Sequence, residues 1–424
     1  MLDMEYHIPM KFIRTNLTRI SFAFALIGLV FFAGCGTDTE TDSNETQDSV
    51  SETQHNVRGV SEDEILFGIH TDLSGPIARY GTETVNGINM RFNEVNSDGG
   101  VHGRKLRLIA EDSEYSPQNS IRITNKLIHG DKIFAMLMAL GTPNNLAVMD
   151  EQFEAGVPNL FPFTGSIKMA QPYRKLMFTQ RGIYYYEMRA AVKYFVEERG
   201  RTKPCVAYIN NEYGEETYTA VKDQTAEMGI EFVDAASHDR TETEFTANVL
   251  RLRQAGCDLV LLGTVVIDTL GILAAADEIG WENVDWVGCN AAAGSVIAEH
   301  ESGMGEGYFV FNHLIKIYPD TEENEEIVEW YNKFLELYGS EPDVAAMEGY
   351  RSADLVIKAL EAVGRNVTTE GFITALESIG TYTDLFGYEL RFSEDNHNGV
   401  RESVLAQAQD KRWVVLDQRI EINM

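Results

Sequence analysis

Residues 64–110 read EILFGIHTDLSGPIARYGTETVNGINMRFNEVNSDGGVHGRKLRLIA, and the fold is decided there. The apolar run Ile65–His70 has the length of a strand, a stretch of helical length runs from Tyr80 to Val95, and a glycine turn at Gly99–Gly103 leads into a second strand, Lys105–Ala110. Strand, crossing helix and strand make one βαβ unit of a parallel sheet. The alternation continues with a helix predicted over Pro117–His129, a strand at Ile133–Leu140, a helix at Pro143–Ala155 and a strand at Pro158–Phe163. A second series starts with a helix at Tyr184–Glu198 and strands at Cys205–Asn210, Glu231–Asp234, Asp258–Gly263 and Val284–Gly288. Helices at Glu325–Tyr338 and Ala345–Ala362 and a short β tail from Tyr388 close the pattern. The expected class is α/β, with two doubly wound parallel-sheet lobes joined by a hinge. Lobe 1 is expected from 62–182 and 312–380, lobe 2 from 183–311 and 381–424. In such sheets the loops leaving the carboxyl ends of the strands share one edge, and ligands bind there.

The chain has 424 residues, more than one ordinary core accommodates, and its 44% hydrophobic and 24% charged content is that of a soluble globular protein. A net charge of -31 repels a phosphate backbone, so nucleic acid is not an expected partner. The sequence holds no G-x-S-x-G elbow, H-E-x-x-H pair, P-loop or dinucleotide fingerprint, and its nine histidines are scattered. A binding protein without cofactor or metal is expected, not an enzyme.

At the amino terminus Lys11, Arg14 and Arg19 precede an apolar run from Ile20 to Ala33. The run is shorter than the ~20 residues that span a bilayer and ends in small residues, the pattern of a signal peptide over 1–34. Phe32-Ala33-Gly34-Cys35 resembles a bacterial lipobox, with Phe32 in place of the usual Leu. That resemblance implies acylation of Cys35. Residues 36–56, GTDTETDSNETQDSVSETQHN, are polar and acidic with nothing to drive collapse, and 35–61 read as a tether. Cys205, Cys257 and Cys289 remain; they read as buried and unpaired, with one pair on neighbouring strands as the alternative.

Several stretches together resemble a known family. They are Thr71-Asp72-Leu73-Ser74-Gly75-Pro76 with Tyr80-Gly81, Gly99-Gly100-Val101-His102-Gly103-Arg104-Lys105-Leu106, Leu140-Gly141-Thr142-Pro143-Asn144-Asn145-Leu146-Ala147-Val148, and Glu154-Ala155-Gly156-Val157-Pro158. In this order they are similar to the branched-chain amino acid (leucine/isoleucine/valine-binding) type of periplasmic binding protein from ABC importers, from about Glu62 to Val415. The resemblance implies a monomer exported to the cell envelope, lipid-anchored at Cys35. Its chain would cross three times between lobes that close on a small organic ligand and deliver it to an ABC permease. The alternative of the same fold is a sensing subunit that signals to a membrane partner.

Gly141-Thr142-Pro143 reads as a helix start at a strand's carboxyl end, with Thr142 as N-cap and Asn144 in the first turn. Free N–H groups and the positive dipole end there suit a ligand carboxylate. Thr164, Gly165 and Ser166 leave the next strand in the same way, and the family's corresponding loop holds the solute's polar end. Ser74 and Tyr80 belong to the first loop; Tyr213 matches a family tyrosine that faces the cleft, Tyr184 matches the crossover, and Thr264 and Asn290 leave the following strands. Amino-acid-binding members carry an acidic residue where this chain has Asn290 followed by Ala291-Ala292-Ala293. An ammonium buried without a counter-charge is costly, so a small carboxylate, or an apolar or aromatic acid, is expected over an α-amino acid. Asp268 or Glu215 are alternative sources of that charge.

Overall fold

The structure, a computed structural model, describes residues 57–421; the expected signal peptide, Cys35 and the tract 36–56 lie outside the described residues. The chain runs through β1 (Glu64–Thr71), α1 (Ala78–Ser97), β2 (Lys105–Asp112), α2 (Pro117–Asn125), β3 (Ala135–Leu137), α3 (Thr142–Glu154), β4 (Asn159–Leu160), α4 (Ile167–Ala170) and β5 (Met177–Phe178). Its first sheet has the order β2-β1-β3-β4-β5, every pair parallel. Ile65, Phe67 and Ile69 of β1 are buried, and Gly68 between them packs under Ile133 and Leu127. A central strand covered on both faces needs such an unbroken apolar run.

The chain continues through α5 (Tyr184–Glu197), β6 (Pro204–Ile209), α6 (Glu212–Met228), β7 (Asp234–His238), α7 (Thr246–Ala255), β8 (Leu259–Gly263), α8 (Val266–Glu278), β9 (Asp285–Gly288), α9 (Ser295–Ala298) and β10 (Phe309–Asn312). Then follow α10 (Glu325–Tyr338), α11 (Val344–Val363), α12 (Thr369–Ser378), β11 (Thr381–Thr383), β12 (Glu389–Arg391), β13 (Glu402–Gln409) and β14 (Arg412–Glu421). The second sheet has the order β14-β13-β10-β9-β8-β6-β7, so its parallel part repeats the first sheet's order. β13 and β14 extend it as an antiparallel hairpin against β10. After β10 the chain returns to the first sheet, where α11 packs along α1. The expected two doubly wound sheets are thus present.

The strand order reverses direction between β1 and β3 in one sheet and between β6 and β8 in the other. Crevices open at the carboxyl ends of strands beside such reversals.

Several expectations need correction. Cys205 and Cys257 are disulfide-bonded, and only Cys289 is a free, buried thiol among the described residues. Cys257 lies in the turn before β8, which runs beside β6, so the two sulfurs meet at adjacent strand starts. The strand expected at Glu231–Asp234 lies at Asp234–His238, because α6 ends at Gly229 in the left-handed region and four residues outside any element follow before the ladder with β6 begins at Cys205↔Asp234. The strands at Ile133–Leu140 and Pro158–Phe163 are paired over only three and two residues, although Leu140 and Phe163 still form a bridge. β5, β10 and α12 are unforeseen. Residues 57–61, expected in the tether, pack on the first sheet: Val57 and Val60 are half-buried, and Leu66 N–H donates to the Gly59 carbonyl at 2.8 Å. Residues 381–399, expected in lobe 2, belong with the first sheet, where the Phe392 ring packs against Phe161 and Phe178 and the Tyr382 hydroxyl donates to Asp354 at 2.8 Å.

Candidate functional site

The loops that leave both reversal points meet. Ile77 and Tyr80 follow β1, Leu140, Gly141 and Thr142 follow β3, Tyr213 follows β6 and Val265 follows β8, and all line one small void between the sheets. Tyr115, Phe163, Arg181, Tyr184 and Ala291 complete its wall. The space it leaves is about 30 Å³, far too small for an organic solute. Both sheets touch across it, with the Tyr80 hydroxyl 3.4 Å from the Ala291 carbonyl. A solute therefore enters only if the two walls part.

The wall is aromatic. Tyr80 packs on Phe163 with ring centres 5.5 Å apart, and Tyr184 meets Tyr213 edge-on at 4.8 Å. Gly141 has φ +96°, and a Cβ there would stand 2.6 Å from the Tyr115 ring, so only glycine lets this ring close the wall. A Cβ on Gly165 would lie 2.1 Å from the Gly182 carbonyl, where the chain first crosses between the sheets.

Thr142 is not the cap of α3, a correction to the sequence reading: Gly141 occupies that position, and the Thr142 hydroxyl instead meets the Thr164 hydroxyl at 2.6 Å. Thr164 Oγ1 also accepts from the Ser166 N–H at 3.2 Å. Ser166 Oγ–H and Ile167 N–H both donate to the Glu216 carboxylate of α6, a clasp between the two sheets' helices. Burial pushes the Glu216 carboxyl up to about 7 against the pull of those donors.

Arg181 is the one charged residue in the wall. It is 3% exposed, its guanidinium lies over the Phe163 ring at 4.1 Å, and Nε is 3.4 Å from Glu348 Oε2, without hydrogen-bond alignment. Burial opposes its charge, but Glu348 and the neighbouring phenols hold its pKa above the ordinary value. Of its five N–H groups, one makes a hydrogen bond, from Nη2 to the Asn290 carbonyl at 3.4 Å. His313, 3.5 Å from the same glutamate, is pushed down to about 4 by burial and stays neutral at pH 7.

Of the residues expected to hold ligand, Tyr80, Thr142, Tyr184 and Tyr213 line the void, with Thr164 bonded to Thr142 and Gly165 packed on Tyr184. The others stand apart. Ser74 is exposed and donates to Asp112, and the Asn144 amide donates to Ser120 at 2.8 Å on the far side of α3. Thr264 meets Thr269 through its hydroxyl at 2.7 Å and receives the Tyr213 hydroxyl on its carbonyl at 3.0 Å. The Asn290 amide donates to Glu187 at 2.7 Å and to the Gly182 carbonyl at 2.9 Å, bracing the segment that crosses between the sheets. Ile77, Tyr115, Phe163, Arg181 and Val265 are wall residues that sequence reasoning missed. Asp268 and Glu215 are absent from the wall; Asp268 pairs instead with the buried His238 at 3.2 Å. Among the described residues no cluster of His, Cys, Asp or Glu is arranged to hold a metal ion.

A family model described as periplasmic binding protein matches residues 64–412. The Leu/Ile/Val-binding protein homolog 2 of Brucella abortus (strain 2308) is 23% identical over 331 residues, which cover 78% of this chain and 86% of that protein. The fatty acid ABC transporter substrate-binding protein from Thermomonospora curvata superposes with a TM-score of 0.77 at 23% identity, covering 86% of this chain and 94% of that one. A solute-binding protein of an ABC transporter from R. palustris, in complex with benzoate, superposes with a TM-score of 0.73 at 20% identity, covering 83% and 95%. With two sheets of matching order, a void at their facing reversal points and a family match over most of its length, this chain belongs to the periplasmic binding protein family.

Proposed function

We propose that this protein captures a small aromatic or apolar carboxylate between its two sheets and delivers it to an ABC permease, held at the cell envelope by a lipid on Cys35. One observation carries the ligand class: the wall holds a single charge, the cation Arg181, with most of its donors uncommitted, and no acidic side chain. A carboxylate meets those donors with a charge-assisted fork, and the Thr142 and Thr164 hydroxyls stand beside the amino end of α3. An aryl or branched alkyl group would lie among Tyr80, Tyr115, Phe163, Tyr184 and Tyr213. An ammonium in that wall would meet a like charge and no carboxylate. The R. palustris protein of the same fold, in complex with benzoate, supports the reading. Calorimetry on one preparation with benzoate, leucine and leucine's keto-acid analogue tests it. Saturable binding of an acid lacking the amine is expected, with leucine weaker; tight leucine binding with both acids silent overturns it.

A further inference from the structure

Away from the void, a cleft of about 700 Å³ opens where the chain crosses between the sheets for the second and third times. Four arginines line it, Arg351, Arg391, Arg401 and Arg419, against two carboxylates, Glu389 and Glu402. In a chain of net charge -31 this is a local excess of positive charge. Three of the arginines have a carboxylate each: Arg351 with Asp384 at 3.5 Å, Arg391 with Glu389 at 2.9 Å and Arg419 with Glu402 at 2.6 Å.

Arg401 has none among the described residues. It is half-buried, and its guanidinium donates only to carbonyls, those of Asn398, Val400 and Arg391. Burial, and after it the neighbouring Arg391, press its pKa below the ordinary value. Four guanidinium groups, from α11, β12, β14 and the loop before β13, thus line one cleft; Arg351 is already held by Gln180 and Asp384, which leaves Arg391, Arg401 and Arg419 to face a ligand. Guanidinium forks match the planar or tetrahedral faces of oxyanions better than any neutral solute.

We propose that this cleft is a second binding site, for a small polyvalent oxyanion that joins Arg391, Arg401 and Arg419. Arg351 and Arg391 stand on the first sheet's side and Arg419 on β14 of the second, so a bound anion ties the two sheets together at their crossing segments. The site is separate from the wall that holds Arg181, and it does not depend on which solute that wall takes.

The test is calorimetry on the full chain in chloride buffer of low ionic strength, with inorganic phosphate in one arm and citrate in the other. One-site saturable binding is expected in at least one arm; phosphate alone identifies a phosphoryl ligand, and citrate alone a polycarboxylate. Arg401→Gln and Arg419→Gln should each weaken that binding by about tenfold, the loss of one charged fork, and leave binding in the aromatic void unchanged. Arg419 is exposed, so its variant reports even if Arg401→Gln fails to fold. No saturable heat in either arm, or wild-type affinity in Arg419→Gln, overturns the proposal.

Discussion

Arg181 stands between two anions, the buried Glu348 on one side and, in the proposed complex, the solute carboxylate on the other. Replacing it removes both partners, so the two effects have to be separated. Arg181→Gln is expected to weaken carboxylate binding by about a hundredfold, near 3 kcal/mol, and to cost stability of about 3–5 kcal/mol, because Glu348 is left buried beside a neutral histidine. Adding Glu348→Gln should recover most of the stability and none of the affinity. Urea melts and calorimetry on the single and double variants check this; affinity that returns with stability would make Arg181 a purely structural residue. The contrast with Thr142 shows what is legible. A Gly-Thr-Pro run at the end of an apolar strand announces a helix start and so a place on the sheet edge. A lone arginine in a connecting segment has no period and no motif. Its role exists only because the chain crosses between the sheets at that point.

At the level of elements, α4 and α6 belong to different sheets and are joined by the Glu216 clasp. Glu216 is about 7 in the folded protein against an ordinary value near 4.5, raised chiefly by burial. Between those values the folded state holds a proton that the unfolded chain has released. Stability from this group is therefore present below about 4.5, falls as pH rises towards 7, and stays lost above it. Glu187, braced by Asn290 and Ser403, is likewise raised to about 7 by burial and adds to the same slope. Glu216→Gln is expected to reduce the fall in unfolding free energy between pH 5 and 7 by about 2–3 kcal/mol, leaving the parts due to Glu187 and to Glu83, also raised to about 7 by burial, which the buried His70 and His313, lowered to about 4, oppose. Its amide can still donate to Ser166 while its carbonyl accepts from Ile167. Denaturant melts at four pH values measure the slope, and an unchanged slope refutes the assignment. The long elements around this clasp, β1, α1, β6 and α11, are readable because each carries a sustained apolar pattern. β4 and β5, two residues each, and the weakly β-prone Asp-Ala-Ala-Ser-His of β7 take their pairing from neighbouring strands. Local sequence does not contain that information.

For the whole molecule, an acidic chain of net charge -31 gains nothing from anionic lipid headgroups, and the proposed lipid on Cys35 is an anchor that does not draw on them. Labelled fatty acid is expected in the wild-type protein and absent from Cys35→Ala, whose folded part should melt as wild type because both sheets and the helices on them are built from residues 64–421. Label that persists in the variant rejects Cys35 as the anchor. The two-sheet plan and its facing edges are legible from the order of strands and helices, but the third crossing, near residue 400, is not, since residues 381–399 alternate weakly and are held by Phe392 in a core laid down more than 200 residues earlier. The Cys205–Cys257 bridge, finally, bears on where the chain matures. It closes a span of 52 residues around β6, α6, β7 and α7, and in a reducing cytosol that span would be unclosed. A chain retained before export would thus keep two free thiols where the exported one has a bond, and the redox state of this one pair dates each molecule as having left the cytoplasm or not.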